Sequence, residues 1–320
     1  MDLHYISRKG GRFSFVLREE MQLSGSLVNK LKWDERLLVN GVPRHTDFEV
    51  QPGDEITVKM EHEQPQYPAE DGPLSILYED EALLAVDKPA GMLIHPSRCR
   101  NTGTLANLVL GYYRKTNQDC VFHPVTRLDR DTFGVVLLAK NPHIHDLMNR
   151  CNSEGGLFKV YEALVYGAPP ERSGTVDAPI ARKPLPSLLR EVSPEGKPAR
   201  TEYRVLEQDG GISRLWLRPV TGRTHQLRLH CAWIGCPILG DPQYGSEASQ
   251  AFSAALGLES QVLCARELRF LHPVTGEMTV IRSGLEAALP PGGGVSGISG
   301  TAPAYALQDR RPAGGGKPLK

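Results

Sequence analysis

Two carboxylates and two guanidiniums fall within five consecutive positions, immediately before a short apolar strand. The stretch from Arg127 to Gly134 reads RLDRDTFG, and the five residues that follow read VVLLA. Charge packed against a buried strand is costly unless each charged group has a partner. An isolated RLDRD string is most simply a surface turn with solvated ion pairs. A buried arrangement with defined partners is the alternative, and other stretches of the chain favour it.

The length and composition indicate a folded protein with a reduced cysteine set. A chain of 320 residues has room for about two domains. No run approaches the roughly 18 apolar residues of a membrane span, and the N-terminus lacks the features of a signal peptide. The cysteines show neither a C-x-x-C pair nor zinc spacing: Cys99, Cys120, Cys151, Cys231, Cys236 and Cys264. We therefore expect a cytoplasmic protein without a metal site.

The formal net charge is zero, with 37 basic and 37 acidic side chains. Nucleic-acid-binding proteins often have a basic total, and this chain does not. A site for a polyanion would therefore have to come from local clustering of basic residues rather than from the field of the whole chain.

Residues 1–60 are predicted to form a small α+β module. Ser24 can cap a helix, Asn40-Gly41 is a strong hairpin signal, and Pro52-Gly53-Asp54 is a turn that leads into an alternating strand. This order resembles the S-four-like RNA-binding module. Candidate phosphate contacts are its basic side chains, namely Arg8, Lys9, Arg12, Lys30, Lys32 and Arg36. Nine basic residues are matched by nine acidic ones, so a structural appendage with solvated charges is the alternative.

The remaining chain divides by composition into three parts. Residues 61–73 are rich in proline and charge and are predicted to be a linker. Residues 74–284 contain apolar runs with strand and helix periods and are predicted to be a second domain. Residues 285–320 are dominated by glycine, proline and alanine, and they are predicted to be a disordered tail.

Three further stretches of the second domain carry charged or polar residues at a predicted turn, a predicted helix start and a predicted strand. Lys88 enters a Pro-Ala-Gly turn, and Asn141-Pro142 is a favourable helix start. Lys159 and Tyr161 are two apart on a predicted strand and so share a face, although Tyr161 alone would most simply be a core aromatic.

The stretch TGRTHQLRLH combines a glycine and an arginine with a predicted helix start. Thr224 is the predicted cap, and the helix would bury Leu227, Cys231 and Ile234 while Arg228 leans toward the rim. A helix N-terminus preceded by Arg223 would be a natural anion site.

The chain resembles the RluA-type pseudouridine synthase family in five strings of residues. These strings are RLDRDTFG, KVYEALVYG, GRTHQLRLHCAWIGCPILGDPQYG, KPAGMLIHP and LRFLHPVTGE. The resemblance covers residues 74–284. It implies an α+β pseudouridine synthase fold, in which a central, largely antiparallel mixed sheet has flanking helices and a catalytic cleft lies across it. The small α+β module would precede this domain.

The resemblance also implies roles for particular residues. The catalytic aspartate of the family motif falls on Asp129, whereas Asp131 occupies a variable position. Arg127 matches the arginine that fills the gap left by a flipped base, Tyr161 the tyrosine that packs on the base, and Arg228 the arginine that pairs with the aspartate. Further RNA or base-flipping contacts are expected from Lys88, Lys159 and Arg223.

The chain departs from the family pattern at two positions beside the aspartate. Thr126 stands where most members have histidine, and Phe133 replaces the usual serine. These changes bear on local packing and substrate preference. His123, three residues before Thr126, is a candidate to compensate for the missing histidine.

The implied activity is the isomerisation of specific uridines to pseudouridine in structured RNA, either ribosomal or transfer RNA. No redox change occurs in this reaction, so no cofactor is expected, and we expect a monomer that binds RNA. A carboxylate can attack an anomeric carbon, stabilise its cationic character, or accept a proton from the sugar. A non-catalytic RNA-binding or assembly protein on the same scaffold is one alternative. A carboxylate-based glycosidase or nucleosidase is another, although it would need a second acid.

Overall fold

The structure is a computed structural model that describes residues 2–60, 63–97, 100–187 and 189–289. It confirms the α+β class, since one small and one large sheet each pack against a few helices. Within these ranges no helix combines the length and the apolar character needed to cross a membrane.

The first module is a four-stranded antiparallel sheet with short helices. Its sheet has the order β1 (Leu3–Ile6), β6 (Glu55–Val58), β3 (Leu37–Val39) and β4 (Val42–Pro43). A second pair joins β2 (Gly11–Arg12) to β5 (Glu49–Val50), and helical turns occupy α1 (Phe13–Phe15), a π-helical turn (Val16–Glu20) and α2 (Gly25–Leu31).

Local sequence signals of the module are confirmed. The Ser24 hydroxyl accepts a hydrogen bond from the Leu27 N–H at 3.2 Å and so caps α2. Asn40 and Gly41 both have positive φ, at 50° and 76°, as a tight hairpin turn between β3 and β4 requires. The module has its own apolar core, built around Phe13, Leu17 and Ile56.

The segment predicted as a linker packs against the second domain over residues 63–73. Asp71 pairs with Arg114, and the Glu70 carboxylate accepts a hydrogen bond from the Gly103 N–H at 2.8 Å. A Cβ at Gly111 would lie 1.8 Å from the Glu70 carbonyl oxygen, so only glycine allows this approach. The proline-rich composition therefore marks an extended strap rather than a loose connection.

The second domain is organised on a ten-stranded sheet. The main path follows the order β12 (Ser173–Asp177), β15 (Arg200–Asp209), β16 (Ile212–Pro219), β11 (Phe158–Tyr166), β17 (Leu263–Leu271), β10 (Phe133–Ala139), β8 (Leu83–Lys88) and β7 (Ile76–Glu79). Off this path, β18 (Met278–Arg282) pairs with β17, and β9 (His123–Pro124) pairs with β10. The described neighbours are antiparallel except for β10 and β17, which are parallel. The predicted largely antiparallel mixed sheet is thus confirmed.

Four helices and a hairpin complete the domain. The helices are α3 (Leu105–Lys115), α4 (Pro142–Ser153), α5 (Gln226–Trp233) and α6 (Glu247–Ala255), and the hairpin joins β13 (Ile180–Arg182) to β14 (Arg190–Val192). The start of α4 is as predicted: Asn141 accepts a hydrogen bond from the Ile144 N–H at 2.9 Å, and Pro142 is the first helical residue.

Strand β10 is buried on both faces because helices cover both. Val135 and Leu137 face the cluster that includes Ile144 and Met148 of α4. Val136 and Leu138 face the cluster that includes Val109 of α3. Side chains alternate across a strand, so an uninterrupted apolar run is what a strand between two helix layers requires.

The parallel contact between β10 and β17 positions the loop that precedes β10. Gly134 pairs with Ala265 at a φ of 108°, and a Cβ at this glycine would lie 2.3 Å from the Ala265 carbonyl oxygen. On its other side, Ala265 pairs with Tyr161 of β11. One residue of β17 therefore sets the register of both the charged loop and Tyr161.

The packed chain extends past the predicted start of the tail. Ala287 is fully buried, and Leu289 packs against the same cluster. Asp87 holds this region by accepting hydrogen bonds from Ser283 Oγ at 2.7 Å and from the Gly284 N–H at 2.8 Å. The tail boundary at 285 is thus corrected, and the disorder predicted for residues 290–320 lies outside the described residues.

Candidate active site

Asp129 lies in the loop between β9 and β10, with its side chain 31% exposed. Its Oδ2 stands 3.4 Å from Arg228 Nη1 and 3.9 Å from His225 Nε2, both on the stretch around the start of α5. The structure therefore brings together two motifs that are far apart in sequence, since Asp129 and Arg228 are separated by 99 positions. The carboxylate remains open on the side that faces solvent.

Lys88 anchors the Asp129 loop from below. Its ammonium donates hydrogen bonds to the carbonyl oxygens of Pro89, Met92 and Arg130 at 2.9, 2.9 and 2.8 Å. The side chain is fully buried, and burial lowers its pKa to about 8, although the charges of Asp131 and Asp129 oppose this shift. The prediction that Lys88 contacts RNA is therefore wrong, because all three donors are used inside the protein to hold the loop against the Pro-Ala-Gly turn.

The second half of the RLDRD stretch is the surface ion pair that an isolated string favours. Both carboxylate oxygens of Asp131 accept hydrogen bonds from the adjacent Arg130, at 2.9 and 2.8 Å. The Arg130 side chain is 61% exposed. Asp131 thus forms the local ion pair expected of an isolated string, whereas Asp129 has defined partners from a distant part of the chain.

Arg228 is fixed by a partner that the sequence did not suggest. Its Nε and Nη2 each donate to a different oxygen of Asp241 at 2.7 Å, and Nη2 also donates to Gln243 Oε1 at 2.8 Å. The arginine is only 5% exposed, which corrects the expectation of a rim position. Burial alone would lower its pKa, but the hydrogen bonds and charge of Asp241 raise it, so the guanidinium stays charged.

Asp241 is prepared for this role by its own loop. The carboxylate is buried and also accepts hydrogen bonds from the backbone N–H groups of Gln243 and Tyr244, at 2.9 and 3.2 Å. These contacts within the GDPQYG loop fix the carboxylate before it receives Arg228. An aspartate followed by turn residues was the available signal, but its partner is set by tertiary packing.

The start of α5 differs from the predicted one. The helix begins at Gln226 after His225, which has left-handed backbone with φ of 58° and ψ of 18°. Gln226 organises the turn: its Oε1 accepts from the Arg223 N–H and the Thr221 hydroxyl, at 3.0 and 2.7 Å. The predicted cap by Thr224 is therefore wrong, because His225 occupies the N-cap position and its side chain makes no cap hydrogen bond.

Tyr161 faces the same region from β11. It is partly buried against the cluster that contains Leu227. Burial raises the pKa of Tyr161, and the nearby Asp129 charge raises it further. The phenol is consequently protonated at neutral pH. The site thus combines a partly open carboxylate, a buried charged guanidinium and a neutral phenol.

Residues 82–233 match the family described as RNA pseudouridylate synthase. The RNA pseudouridine synthase YjbO of Bacillus subtilis is 35% identical over 261 residues, which cover 81% of this chain and 90% of that protein. The chain belongs to this family. Ribosomal large subunit pseudouridine synthase D of Escherichia coli K12 is 36% identical over 262 residues, which cover 79% of this chain and 80% of that protein.

Solved structures agree with the sequence relatives. Human RNA pseudouridylate synthase domain containing 1 superimposes with a TM-score of 0.55 and 27% identity, over 68% of this chain and 86% of the human one. The predicted RluA-type family, pseudouridine synthase fold and RNA-modifying enzyme are therefore confirmed. This pseudouridine synthase isomerises uridine in RNA to pseudouridine.

The synthase leaves Arg127 exposed beside the site, without a hydrogen bond or ion pair to any residue of the described ranges. Arg223 is also exposed, but its Nε donates to the Pro198 carbonyl at 3.0 Å. Lys159 is turned to α4, where its ammonium donates to Asn152 Oδ1 at 2.6 Å, and burial lowers its pKa. Of the three, Arg127 is the side chain most available to a nucleic acid.

Arg190 is a residue of the synthase that sequence reasoning missed. Arg190 lies at the start of β14, a strand that packs against α5. Its backbone N–H donates a hydrogen bond to Tyr244 Oη at 3.1 Å. Its Nη1 is buried and has no hydrogen-bond partner among the described residues. A basic residue at the end of a proline-rich stretch offered no signal for this placement.

The departures from the family pattern have local explanations. The Thr126 hydroxyl accepts a hydrogen bond from the Leu137 N–H at 2.9 Å, and Phe133 packs against the cluster that contains Leu164. His123 bonds Glu63 of the strap at 2.6 Å and stacks on His145. It therefore serves the strap rather than substituting for a histidine at position 126.

The basic residues of the first module lie mostly at its surface. Arg8, Lys9, Arg12 and Lys30 are exposed, whereas Arg36 lies 3.9 Å from Asp34. Lys32 Nζ stands 4.9 Å above the ring centroid of Trp33, whose side chain is itself largely exposed. Among the described residues, none of the six contacts Asp129 or Arg228, so their predicted role in RNA binding remains a prediction.

Proposed function

We propose that Asp129 is the catalytic residue of this synthase and acts at C1′ of the target uridine. The observation that supports this assignment is the open carboxylate beside the buried, charged guanidinium of Arg228. The reaction breaks the bond from C1′ to N1, rotates the freed uracil, and forms a bond from C1′ to C5. The proton lost from C5 is balanced by one gained at N1, so atoms and electrons balance without a cofactor.

Arg228 fixes and electrostatically supports Asp129. Its other donors are bound by Asp241 and Gln243, so only Nη1 is directed to Asp129. Charge-assisted contacts in a partly desolvated site are stronger than in water. The guanidinium therefore defines the direction of the carboxylate in the absence of RNA.

Tyr161 covers the face of the everted uracil as a neutral phenol. Burial and the Asp129 charge raise its pKa, which disfavours a role as a phenolate base at neutral pH. An aromatic ring can instead offer a stacking surface to the base. We therefore assign Tyr161 a stacking role rather than that of a base.

Arg127 and Arg190 supply the contacts that accompany base flipping. Taking the target nucleotide out of its stack costs a few kcal/mol, and Arg127 can offset this cost by filling the vacancy. Arg190 lies at the start of β14 beside Tyr244, and its positive charge would favour an RNA phosphate there. Exposed basic residues of the first module, Arg8, Lys9, Arg12 and Lys30 among them, extend this contact along the RNA.

Ribosomal RNA is the proposed substrate. A relative that is 36% identical over most of the chain is named a ribosomal large subunit enzyme. The protein would work as a monomer in the cytoplasm, where ribosomal RNA and free thiols occur together. Mapping pseudouridines in total RNA from a strain that lacks the protein would distinguish ribosomal from transfer RNA.

The test of the catalytic assignment is tritium release from RNA labelled at uridine C5. Wild-type protein should release label, and Asp129→Asn should release none while it still binds the RNA. Asp131→Asn is the matched control, because that carboxylate is already paired with Arg130 and should retain activity. Near-normal release by Asp129→Asn would overturn the assignment, and free uracil as product would indicate a hydrolase instead.

A further inference from the structure

His225 presents both ring nitrogens to functional side chains of the site. Nδ1 lies 2.7 Å from Tyr244 Oη, and Nε2 lies 3.9 Å from Asp129 Oδ2. The ring is 18% exposed, so it borders the open side of Asp129. The left-handed backbone of His225 directs the ring here, although such backbone is uncommon for this residue type.

The hydrogen-bond network favours the tautomer of His225 that carries its proton on Nε2. Tyr244 Oη already accepts from the Arg190 N–H, so its own hydrogen is available to Nδ1 of His225. The Nε2 of a neutral ring then carries the hydrogen that faces Asp129. The opposite tautomer would direct a lone pair at a carboxylate.

Burial favours the neutral form of the His225 ring. Burial is the largest effect and lowers the pKa of His225. The carboxylates of Asp129 and Asp241 raise this pKa, whereas the guanidiniums of Arg228 and Arg190 lower it. A neutral imidazole with one defined N–H is therefore the species that meets the substrate.

The gap between Nε2 and Oδ2 fits one particular kind of substrate group. A separation of 3.9 Å is too long for a direct hydrogen bond. A hydroxyl beside both atoms can accept from Nε2–H and donate to the carboxylate. A carbonyl oxygen can only accept and would be repelled by Asp129.

We infer that His225 is a substrate-binding residue that, together with Asp129, holds the 2′-hydroxyl of the target nucleotide. The inference rests on the proposed function, in which Asp129 acts at C1′, the carbon next to the one that bears this hydroxyl. His225 would thereby set the sugar's orientation and favour ribose over deoxyribose at the target position.

Two substitutions at His225 separate this role from a structural one. A glutamine amide can place an N–H near the position of Nε2, whereas the shorter asparagine cannot. Asparagine tolerates left-handed backbone better, so it should perturb folding less. We expect kcat to fall by about tenfold or more for His225→Asn, which corresponds to the loss of one hydrogen bond, and by less for His225→Gln. Equal rates for His225→Asn and wild type would overturn the inference.

The second measurement uses a synthetic RNA that carries the mapped target uridine either with or without its 2′-hydroxyl. Wild type should turn over the deoxy substrate at least about tenfold more slowly, because the substrate loses its contacts to both His225 and Asp129. The loss should be smaller for His225→Asn, which has already lost the first of these contacts. Additive losses would contradict a shared hydroxyl. The two proposals fail separately: no wild-type product from the all-ribose RNA overturns the proposed function, whereas normal turnover by both variants overturns only the role of His225.

Discussion

Arg228 reaches Asp241 through two hydrogen bonds of 2.7 Å but stands 3.4 Å from Asp129. The arginine is thus held by one carboxylate and presented to the other. A planar guanidinium can do this because its donors point in different fixed directions.

Replacing Arg228 with lysine should lower kcat by about a hundredfold, because an ammonium keeps the charge but cannot serve both carboxylates. Single-turnover tritium release would measure the loss, and RNA binding measured in parallel should change little. A variant with wild-type kcat would show that charge alone suffices.

Asp241→Asn should destabilise the fold by about 3–5 kcal/mol, since it leaves a buried guanidinium without its ion-pair partner. Urea unfolding would measure this change, and activity should fall with it as Nη1 loses its direction. Asp131→Asn is the control, because its partner Arg130 is 61% exposed and the pair should contribute at most about 1 kcal/mol. Similar unfolding curves for the two variants would contradict the prediction.

Gly134→Ala should cost about 2–4 kcal/mol, because a side chain there meets the Ala265 carbonyl and strains left-handed backbone. Thermal unfolding would detect it. The control is Gly222→Ala, where a Cβ would have nothing within 4 Å and which should change stability by less than about 0.5 kcal/mol. If both substitutions are equally tolerated, the close approach of β10 and β17 is not as described.

The buried Lys88 should make stability rise with pH in mildly alkaline solution. Its pKa is lowered to about 8, so between about pH 8 and pH 10 the unfolded chain binds more protons than the folded one. The unfolding free energy should therefore increase by about 2 kcal/mol across this window. Lys88→Met should lack this increase, whereas Lys115→Met, at the exposed end of α3, should retain it. Parallel slopes for wild type and Lys88→Met, measured by urea unfolding at stepped pH, would exclude the effect.

Arg190→Gln should raise KM for RNA several-fold and reduce the salt dependence of binding by about one counterion. Binding measured over a series of salt concentrations would give this slope. Arg182 pairs with Arg190 across the same hairpin and is exposed, so Arg182→Gln is a matched control. Equal slopes for both variants would assign the effect to the general charge of the hairpin instead of the position of Arg190 beside Tyr244.

Features that depend on neighbouring residues could be predicted from the sequence. Ser24, Asn141 and the Asn40-Gly41 turn act through contacts with residues a few positions away, and the structure has each as predicted. The family strings likewise indicated which distant residues, Asp129 and Arg228, would meet.

Features that depend on tertiary packing could not be predicted from those patterns. Lys88 appeared to be an available cation, but its three acceptors come from two separate loops. Thr224 appeared to be a cap, but Gln226 satisfies the turn through contacts with Arg200 and Thr201 on β15. Asp241 gave no sign of its partner, because the pairing exists only once α5 lies against its loop.

The pairing of Ala265 with both Gly134 and Tyr161 has a mechanical consequence. A small slide or breathing motion of this central strand carries the acid's loop and the stacking ring in the same sense. The distance between Asp129 and Tyr161 therefore changes less than it would if each were held by a different strand.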